Sequence, residues 1–270
     1  THWAYVCEWP GKNAARPILM TSAGVFGTLV TEINLEIDPQ SQRLVSRSAR
    51  NVIVQSEAYR PSADRVSALT DRFPRFSPRA DIADYVARYA EAARQFALRP
   101  AGRIGGEAVR GGDGTSTGGT LGSLIADAQL AATAGAGAQI AFMNPFGIRA
   151  PWRLAPGENG QLTFGDLYKV QPFNNVLMTQ TLTGAQLRRV LEQNFDGYGP
   201  NQVLSPSRGF VYTYDLSRPV GSRIVSMALD GKPIDEAASY RVTTSDFLAY
   251  GGDTYSELSK GTDRVIGISD

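Results

Sequence analysis

Three short segments carry the side chains of this sequence that could do chemistry together. Each lies at the end of a stretch with strand character, and they are NPFGIRA at 144–150, QPFNN at 171–175 and FLAYGGD at 247–253. Together they supply two aromatic rings, an amide, a guanidinium and a carboxylate, from Phe173, Phe247, Asn144, Arg149 and Asp253. Aromatic rings stack on a purine or pyrimidine, a carboxylate accepts from ribose hydroxyls, and a guanidinium pairs with phosphate. Each segment taken alone is also explained by a turn and a core aromatic.

The third segment belongs to the stretch YRVTTSDFLAYGGDTY at 240–255. The alternation of aromatic and β-branched residues in its first half predicts a β-strand. Gly251 and Gly252 then free the backbone. The strand therefore leads into a loop that presents Phe247 and Asp253 at its end, where sheets covered by helices usually hold ligands. A core phenylalanine followed by a glycine turn is the competing interpretation.

Composition and charge exclude several classes of protein. Apolar residues make up 42% of the 270 residues and charged residues 20%, with a net charge of +1. Because basic and acidic residues are nearly equal in number, the chain lacks the excess positive charge that nucleic-acid binding needs, and no nucleic-acid partner is expected. No run of about 18 apolar residues occurs, so no membrane span is expected.

The single histidine and the single cysteine exclude further chemistry. One cysteine, Cys7, forms no internal disulfide and builds no cysteine-rich zinc site. The one histidine is His2, so a Ser-His-Asp triad in the body of the chain is impossible.

The sequence pattern of residues 1–57 predicts β structure. Strict alternation runs from Leu29 to Ile37, and turn residues then lead to a weaker strand from Leu44 to Val54. We expect a meander of about three strands with one apolar face, which is marginal unless something packs on it. The start at Thr1 has no feature of a signal peptide. We interpret this segment as the C-terminal remnant of a larger domain.

Residues 58–104 are expected to form a helical linker between two β-rich parts. Ser77-Pro78 is a helix start signal, and apolar residues from Ile82 to Phe96 follow at helical spacing. The alternative is that this helix is the first of the second domain. The glycine-rich stretch at 103–119 contains no phosphate-loop motif and predicts a mobile surface loop.

Residues 105–270 alternate strands with helices without strict βαβ regularity. Thr163 and Thr183 each begin a capping-box pattern, and Asp230-Gly231 predicts a tight hairpin. The fold class is therefore α+β (mixed α/β), with mixed sheets covered by helices.

Six motifs in this region resemble, in order and spacing, the C-terminal domain of bacterial and animal 5'-nucleotidases. They are GTLGSLIADA, MNPFGIRA, LTFGDLYKVQPFNN, LTGAQLRRVLEQ, a hairpin at 212–230 and YRVTTSDFLAYGGD. The resemblance covers residues 105–260, and the family includes periplasmic UDP-sugar hydrolases and cyclic-nucleotide phosphodiesterases. It implies layered mixed sheets and a preceding metallophosphatase domain that holds two divalent metal ions.

The front of the chain is similar to the end of that metallophosphatase domain. The family's last metal motif reads GH-x-H/N/Q, and Thr1-His2 resembles its final positions. The resemblance implies that His2 is a metal ligand in the intact enzyme only. One histidine without partner ligands does not hold a catalytic metal, so no metal is expected in this fragment.

The same resemblance assigns the site residues. Phe173 and Phe247 match the two aromatics that sandwich the base, Asp253 matches the acid that binds ribose, and Asn144 and Arg149 match polar contacts on the base and phosphate sides. At two places the sequence departs from the family's pattern, and both bear on which substrate is preferred. Pro145-Phe146 replaces two glycines of the motif NGGGIR, and Thr115 stands where many members carry a phosphate-binding arginine.

The expected function is nucleotide recognition in a metal-dependent phosphomonoester hydrolase of the 5'-nucleotidase type, periplasmic or secreted. The fragment alone is expected to lack catalysis, and its partner is a small nucleotide or nucleoside. The exposed N-terminal strands are expected either to pair with a second copy, which gives a homodimer, or to be disordered. Two alternatives remain open: a parent enzyme for a cyclic nucleotide, nucleotide sugar or other ester, and a non-catalytic binding or adhesion module with a vestigial pocket.

Overall fold

A computed structural model describes the chain except for residues 1–2, 13–15, 26, 56–57, 63–64, 112–117, 154–159, 197–201 and 270. The chain divides into two compact units, Thr1–Glu91 and Ala92–Asp270.

The first unit is built from β-hairpins. Strand β1 (Ala4–Trp9) pairs antiparallel with β2 (Ile18–Ala23), β3 (Leu29–Ile37) with β4 (Leu44–Ile53), and β5 (Tyr59–Ser62) with β6 (Arg65–Ser67). The predicted strand from Leu29 to Ile37 is confirmed. The expected meander is instead a set of two-stranded sheets. Gly24 and Gly27 lie between β2 and β3, and both adopt positive φ. This backbone conformation is not that of a β-strand, so β3 does not continue the pairing of β2.

The turn between β3 and β4 follows from its sequence. The Oδ1 atom of Asp38 accepts hydrogen bonds from the backbone N–H groups of Gln40 (2.7 Å) and Ser41 (2.9 Å). Apolar residues of β3 nevertheless remain exposed, including Ile33, Leu35 and Ile37.

Helix α1 (Ala80–Ala97) spans the boundary between the two units. The prediction of a helical linker is wrong for the part of the segment that forms β5 and β6, and Pro74 and Pro78 exclude a helix interior in the residues just before Ala80. The predicted apolar stripe is present on α1, but no residue of this helix is buried. All of them are exposed except Ala97, which is partly buried. Tyr85 and Tyr89 on this stripe contact each other with ring centroids 4.9 Å apart.

The second unit contains strands and helices in alternation. The strands are β7 (Pro100–Arg103), β8 (Ile140–Met143), β9 (Gln161–Thr163), β10 (Val176–Thr183), β11 (Ser205–Pro206), β12 (Phe210–Tyr214), β13 (Ile224–Leu229), β14 (Lys232–Pro233), β15 (Ser239–Ser245) and β16 (Thr262–Ser269). The helices are α2 (Gly119–Ala132), α3 (Phe164–Val170), α4 (Gly184–Glu192) and α5 (Asp246–Ala249). Short 3₁₀ helices lie at Ala134–Ala136, Pro145–Gly147, Gln193–Phe195, Gly252–Thr254 and Ser256–Lys260.

A five-stranded mixed sheet organises this unit, in the order β11-β8-β15-β10-β16. Strands β8 and β15 run parallel, and the other neighbours run antiparallel. Strands β12, β13 and β14 form a separate sheet, with the predicted turn at Asp230-Gly231 between β13 and β14. The mixed fold class is confirmed.

Two apolar clusters cover the two faces of the five-stranded sheet. Ile140 and Phe142 point into a large cluster with α4 and the β12–β13 hairpin, whereas Met143 packs with α2 in a smaller one. Both predicted capping boxes are present. Thr163 caps α3 together with Asp166, and Thr183 caps α4 together with Gln186.

Candidate functional site

The sheet topology brings the three predicted loops to one edge. Strands β8 and β15 are parallel neighbours, with Ile140 opposite Val242, so the loops that follow them leave the sheet at the same edge. Strand β10 is antiparallel to β15, and its second residue, Leu177, lies opposite Ser245. The segment 171–175 that precedes β10 therefore reaches the same edge.

Asn144 and Asp253 are in direct contact at this edge. Asn144 directly follows β8 and is buried, with 4% of its surface exposed. Its Nδ2 donates to Oδ2 of Asp253 over 2.6 Å. The carboxylate is also fixed through its backbone, because Asp253 has φ 50° and its carbonyl accepts from Nε2 of Gln202 at 3.0 Å. Two of the predicted residues are thus joined across 109 positions of sequence.

The position of Asp253 changes its acidity. Burial raises the pKa of the Asp253 carboxyl above the ordinary value of 3.8, and the hydrogen bond from Asn144 opposes that shift. The carboxyl retains acceptor capacity beyond the bond to Asn144, since an ionised carboxylate has about four lone-pair sites.

Phe247 is presented by the short helix α5. Ser245 caps this helix, and its Oγ accepts from the backbone N–H of Leu248 at 3.4 Å. Leu248 and Ala249 are buried, while Phe247 remains 47% exposed. The ring lies against Gly252, because a Cβ built on that glycine would come within 2.6 Å of the Cε1 and Cζ atoms of Phe247. The glycine next to Asp253 thereby sets the position of the aromatic ring.

Arg149 and Phe173 form the second pair. The Arg149 guanidinium lies over the Phe173 ring, 5.8 Å from its centroid, and its Nη1 donates to the carbonyl of Phe146 at 3.4 Å. The Phe173 ring is 52% exposed. The backbone N–H of Arg149 donates to the carbonyl of Val170 at 2.8 Å, which ties the first loop to the second.

The predicted residues therefore form two contacting groups. Asn144 and Asp253 are bonded beside the Phe247 ring, and Arg149 stacks on Phe173. In the part of the chain that the structure describes, no ring-to-ring contact joins Phe173 to Phe247.

The substituted positions Pro145 and Phe146 form a rigid turn. Gly147 donates its N–H to the carbonyl of Asn144, and Ile148 donates to that of Pro145, both over 3.2 Å. Pro145 is buried, whereas Phe146 is 46% exposed. Phe146 thus adds a third exposed aromatic side chain to these loops.

One residue that shapes the site, Gln202, was not named from the sequence, and a second, Gly252, was given a different role there. Gln202 fixes the backbone of Asp253, but it lies in a segment without any motif. Gly252 was interpreted as a source of backbone freedom, whereas its contribution is the close approach of Phe247. The available signal was a glycine directly before the acid Asp253.

Two predicted positions, His2 and Thr115, lie outside the described residues. Within the described residues, no group of three or more His, Cys, Asp or Glu side chains is placed to hold a metal ion. The described part of the chain thus offers no donor set that fits a two-metal centre. In the same residues, no helix is long and apolar enough to cross a membrane.

Comparison with known proteins gives consistent matches. A sequence profile described as 5'-nucleotidase, C-terminal domain, matches residues 101–260. The trifunctional nucleotide phosphoesterase protein YfkN of Bacillus subtilis is 37% identical over 153 residues, which is 53% of this chain and 10% of that protein. The cell wall protein Lmo0130 of Listeria monocytogenes is 37% identical over 149 residues, covering 52% of this chain and 18% of that protein.

A solved structure agrees over nearly the whole chain. The 5'-nucleotidase precursor of Thermus thermophilus superposes with a TM-score of 0.60 at 26% identity, covering 98% of this chain and 49% of that structure. The chain thus spans about half of this structural relative and a smaller share of the two curated proteins.

Proposed function

Since the chain belongs to the 5'-nucleotidase family through its C-terminal domain at residues 101–260, we propose that its second unit binds the nucleoside part of a nucleotide substrate. The parent protein would be a hydrolase of phosphate monoesters. The relatives named as nucleotide phosphoesterase and as 5'-nucleotidase precursor support this class of reaction.

The observation that carries the proposal is the meeting of three loops at one edge of the sheet. There, half-exposed Phe173 and Phe247 accompany the hydrogen-bonded pair of Asn144 and Asp253. A half-exposed ring on a rigid support is available for stacking on a base, and every base has a flat face on which such a ring can stack.

Each residue has a role in this proposal. The base stacks between Phe173 and Phe247, and Asp253 accepts hydrogen bonds from the ribose hydroxyls. Asn144 holds that carboxylate at 2.6 Å. Arg149 is exposed and carries a planar guanidinium, which suits the phosphate.

No catalytic step is assigned to the described residues, because they offer no fitting set of metal donors. We propose that the chain alone binds without hydrolysing, and that His2 takes part in metal binding only in a longer protein. Metal-dependent phosphate release by the purified chain would contradict this.

A location outside the cytoplasm is part of the proposal. It is supported by the resemblance to the periplasmic hydrolases and by the relative named as a cell wall protein, which is 37% identical over its matched part.

Calorimetric titration with adenosine and with AMP tests the binding proposal. Phe173→Ala and Phe247→Ala are each expected to weaken adenosine binding by about 1–3 kcal/mol, the usual contribution of one stacked ring. Phe164→Ala is the matched control, because Phe164 is also a half-exposed phenylalanine but lies at the start of α3, outside the three loops. Its affinity should equal that of the unmodified chain.

The outcome separates two classes of protein. Equal affinity in all three variants would contradict the stacking proposal. Absence of heat with either ligand would favour the binding or adhesion module with a vestigial pocket, for which the bulky Pro145-Phe146 turn is the supporting observation.

A further inference from the structure

A second concave site lies in the same unit, on the α2 face of the five-stranded sheet. It is a pocket of about 770 Å³ between α2, α3, the start of β10 and the end of β16. Its walls come from residues 124–269, so the site is contained within the second unit. None of the five predicted nucleotide-site residues lines it.

The chemistry of the walls is apolar and aromatic. Trp152, Phe164 and Tyr168 contribute three rings, and aliphatic side chains from α2, β10 and β16 complete the lining. Trp152 is fixed, because its Nε1 donates to the carbonyl of Asp166 at 3.3 Å. Phe164 and Tyr168 are stacked, with their ring planes 27° apart. Several of these aromatic and aliphatic side chains are about half exposed to solvent. Large apolar side chains that lie together and stay exposed often mark a binding site.

Among the described residues of the lining there is no Asp, Glu, Lys or Arg side chain. A phosphate group placed here would lose its hydration without gaining an ion pair, which is costly. The pocket is therefore unsuited to a nucleotide and suited to an uncharged molecule.

One polar group of the lining lacks a partner. Gln129 on α2 is 96% buried, being 4% exposed. Its Nε2 donates to the sulfur of Met143 at 3.8 Å, but its Oε1 has no hydrogen-bond partner among the described residues. A buried carbonyl oxygen without a donor is rare in folded proteins and costs free energy. The oxygen itself is shielded from solvent, so a ligand that carries an N–H or O–H group would relieve that cost when the Gln129 amide turns toward the pocket.

From these observations we propose that this pocket binds a small, uncharged, flat aromatic molecule that donates one hydrogen bond to Oε1 of Gln129. The volume lies within the range of about 300–1,000 Å³ that is usual for small-molecule sites. Three rings in the walls favour an aromatic ligand over a flexible acyl chain, because offset and edge contacts between rings add to the area effect. The pocket shares Gln171 and Asn174 of the 171–175 segment with the proposed nucleotide site but none of the five residues assigned to nucleotide binding, so we expect both sites to be filled together.

The probe for the test is N-phenyl-1-naphthylamine, which is uncharged, aromatic and carries a single N–H donor. Its fluorescence rises in apolar surroundings, so titration into the 270-residue chain gives stoichiometry and affinity. We expect saturable binding of one probe per chain, with no displacement by adenosine.

Two variants on α2 identify the site. Ala128 lines the pocket and is exposed, so Ala128→Trp fills it without disturbing the core, and we expect at least a tenfold loss of probe affinity. Ala131 lies on the same helix, is equally exposed and does not line the pocket. Ala131→Trp should therefore leave the affinity within twofold. Unsaturable binding, or an equal effect of both variants, would overturn the proposal.

Gln129→Met tests the hydrogen bond. Methionine has nearly the shape of glutamine without its amide, so the variant should melt at a higher temperature in the absence of probe and bind the probe several-fold more weakly. An unchanged probe affinity would overturn the assignment of the donor to Gln129. Adenosine titration of the same variants keeps this result distinct from the nucleotide proposal, because none of these residues belongs to the three loops.

Discussion

At the scale of single residues, the site depends on how Gly252 holds Phe247. A Cβ at position 252 would overlap both the ring and the backbone carbonyl oxygen of Phe247, so Gly252→Ala must displace that residue. We expect adenosine affinity to fall about tenfold, close to the loss caused by removing the ring itself. Calorimetric titration measures this.

Gly135→Ala is the matched control for that variant. A Cβ at Gly135 meets no atom within 4 Å, so the substitution adds the same methyl group in open space. Retained affinity in Gly252→Ala would show that the ring position does not matter for binding.

The ionised carboxylate of Asp253 lowers the stability of the fold but is proposed to bind the ribose. The folded-state pKa of its carboxyl is raised by burial above the ordinary value of 3.8, so the ionised form destabilises the fold. Asp253→Asn removes the charge and keeps the acceptor for Asn144, and asparagine tolerates the φ of 50°. The variant should be more stable than the parent, and its advantage should grow as the pH rises from 3.8 through the folded-state pKa and then stay constant.

The same substitution should weaken nucleoside binding. Loss of a charged acceptor for the ribose hydroxyls is expected to reduce adenosine affinity about tenfold or more at neutral pH. In the parent chain, affinity should fall as the pH is lowered through the raised pKa, whereas the variant should show no such fall. Thermal melts and titrations over the pH series check both, and identical pH profiles would contradict the ribose role of Asp253.

At the scale of elements, the capping box of α4 secures the large apolar cluster. Thr183 Oγ1 accepts from the N–H of Gln186 at 3.2 Å, and Oε1 of Gln186 accepts from the N–H of Thr183 at 2.8 Å. Thr183→Ala should lower the free energy of unfolding by about 1 kcal/mol. Urea denaturation measures the change.

Ser123→Ala is the control for the loss of a hydroxyl. Ser123 is exposed within α2, where alanine has the higher helix propensity, so no loss of stability is expected. An equal destabilisation by both variants would contradict the specific role of the cap.

Much of the fold was predictable at this scale because its signals are local. The strand from Leu29 to Ile37 shows strict alternation, and the caps at Thr163 and Thr183 show both partners three residues apart. The grouping of β1 to β4 into separate sheets was not predictable, since strand pairing depends on how the glycine turns orient whole hairpins.

The candidate site was predictable in its residues but not in its contacts. Asn144 and Asp253 were named from their loops, yet their hydrogen bond depends on the parallel pairing of β8 with β15. The apolar pocket gave no signal in the sequence, because its walls come from α2, α3, β10 and β16, which only the tertiary fold brings together.

At the scale of the whole molecule, the first unit leaves apolar surface open. Ile33, Leu35 and Ile37 of β3 are exposed on one face of a two-stranded sheet. Such sheets are marginal alone and their edges pair readily. We therefore predict that the chain forms a homodimer through these strands, measured as twice the chain mass by light scattering after size exclusion.

Leu35→Lys should shift that dimer to the monomer, because it places a charge on the apolar face. Asn34→Lys is the matched control, since Asn34 is the neighbouring residue on the opposite face of β3. A chain that is monomeric before any substitution, with this segment ordered, would contradict the prediction.

The central claim is that Phe173 and Phe247 hold a nucleoside base at the edge of the five-stranded sheet. A crystal structure of the chain grown with adenosine tests it most directly. We expect the adenine ring between these two side chains, with the ribose hydroxyls within hydrogen-bond distance of Asp253. Adenosine bound elsewhere on the chain, or crystals whose three loops stay empty at saturating adenosine, would contradict it.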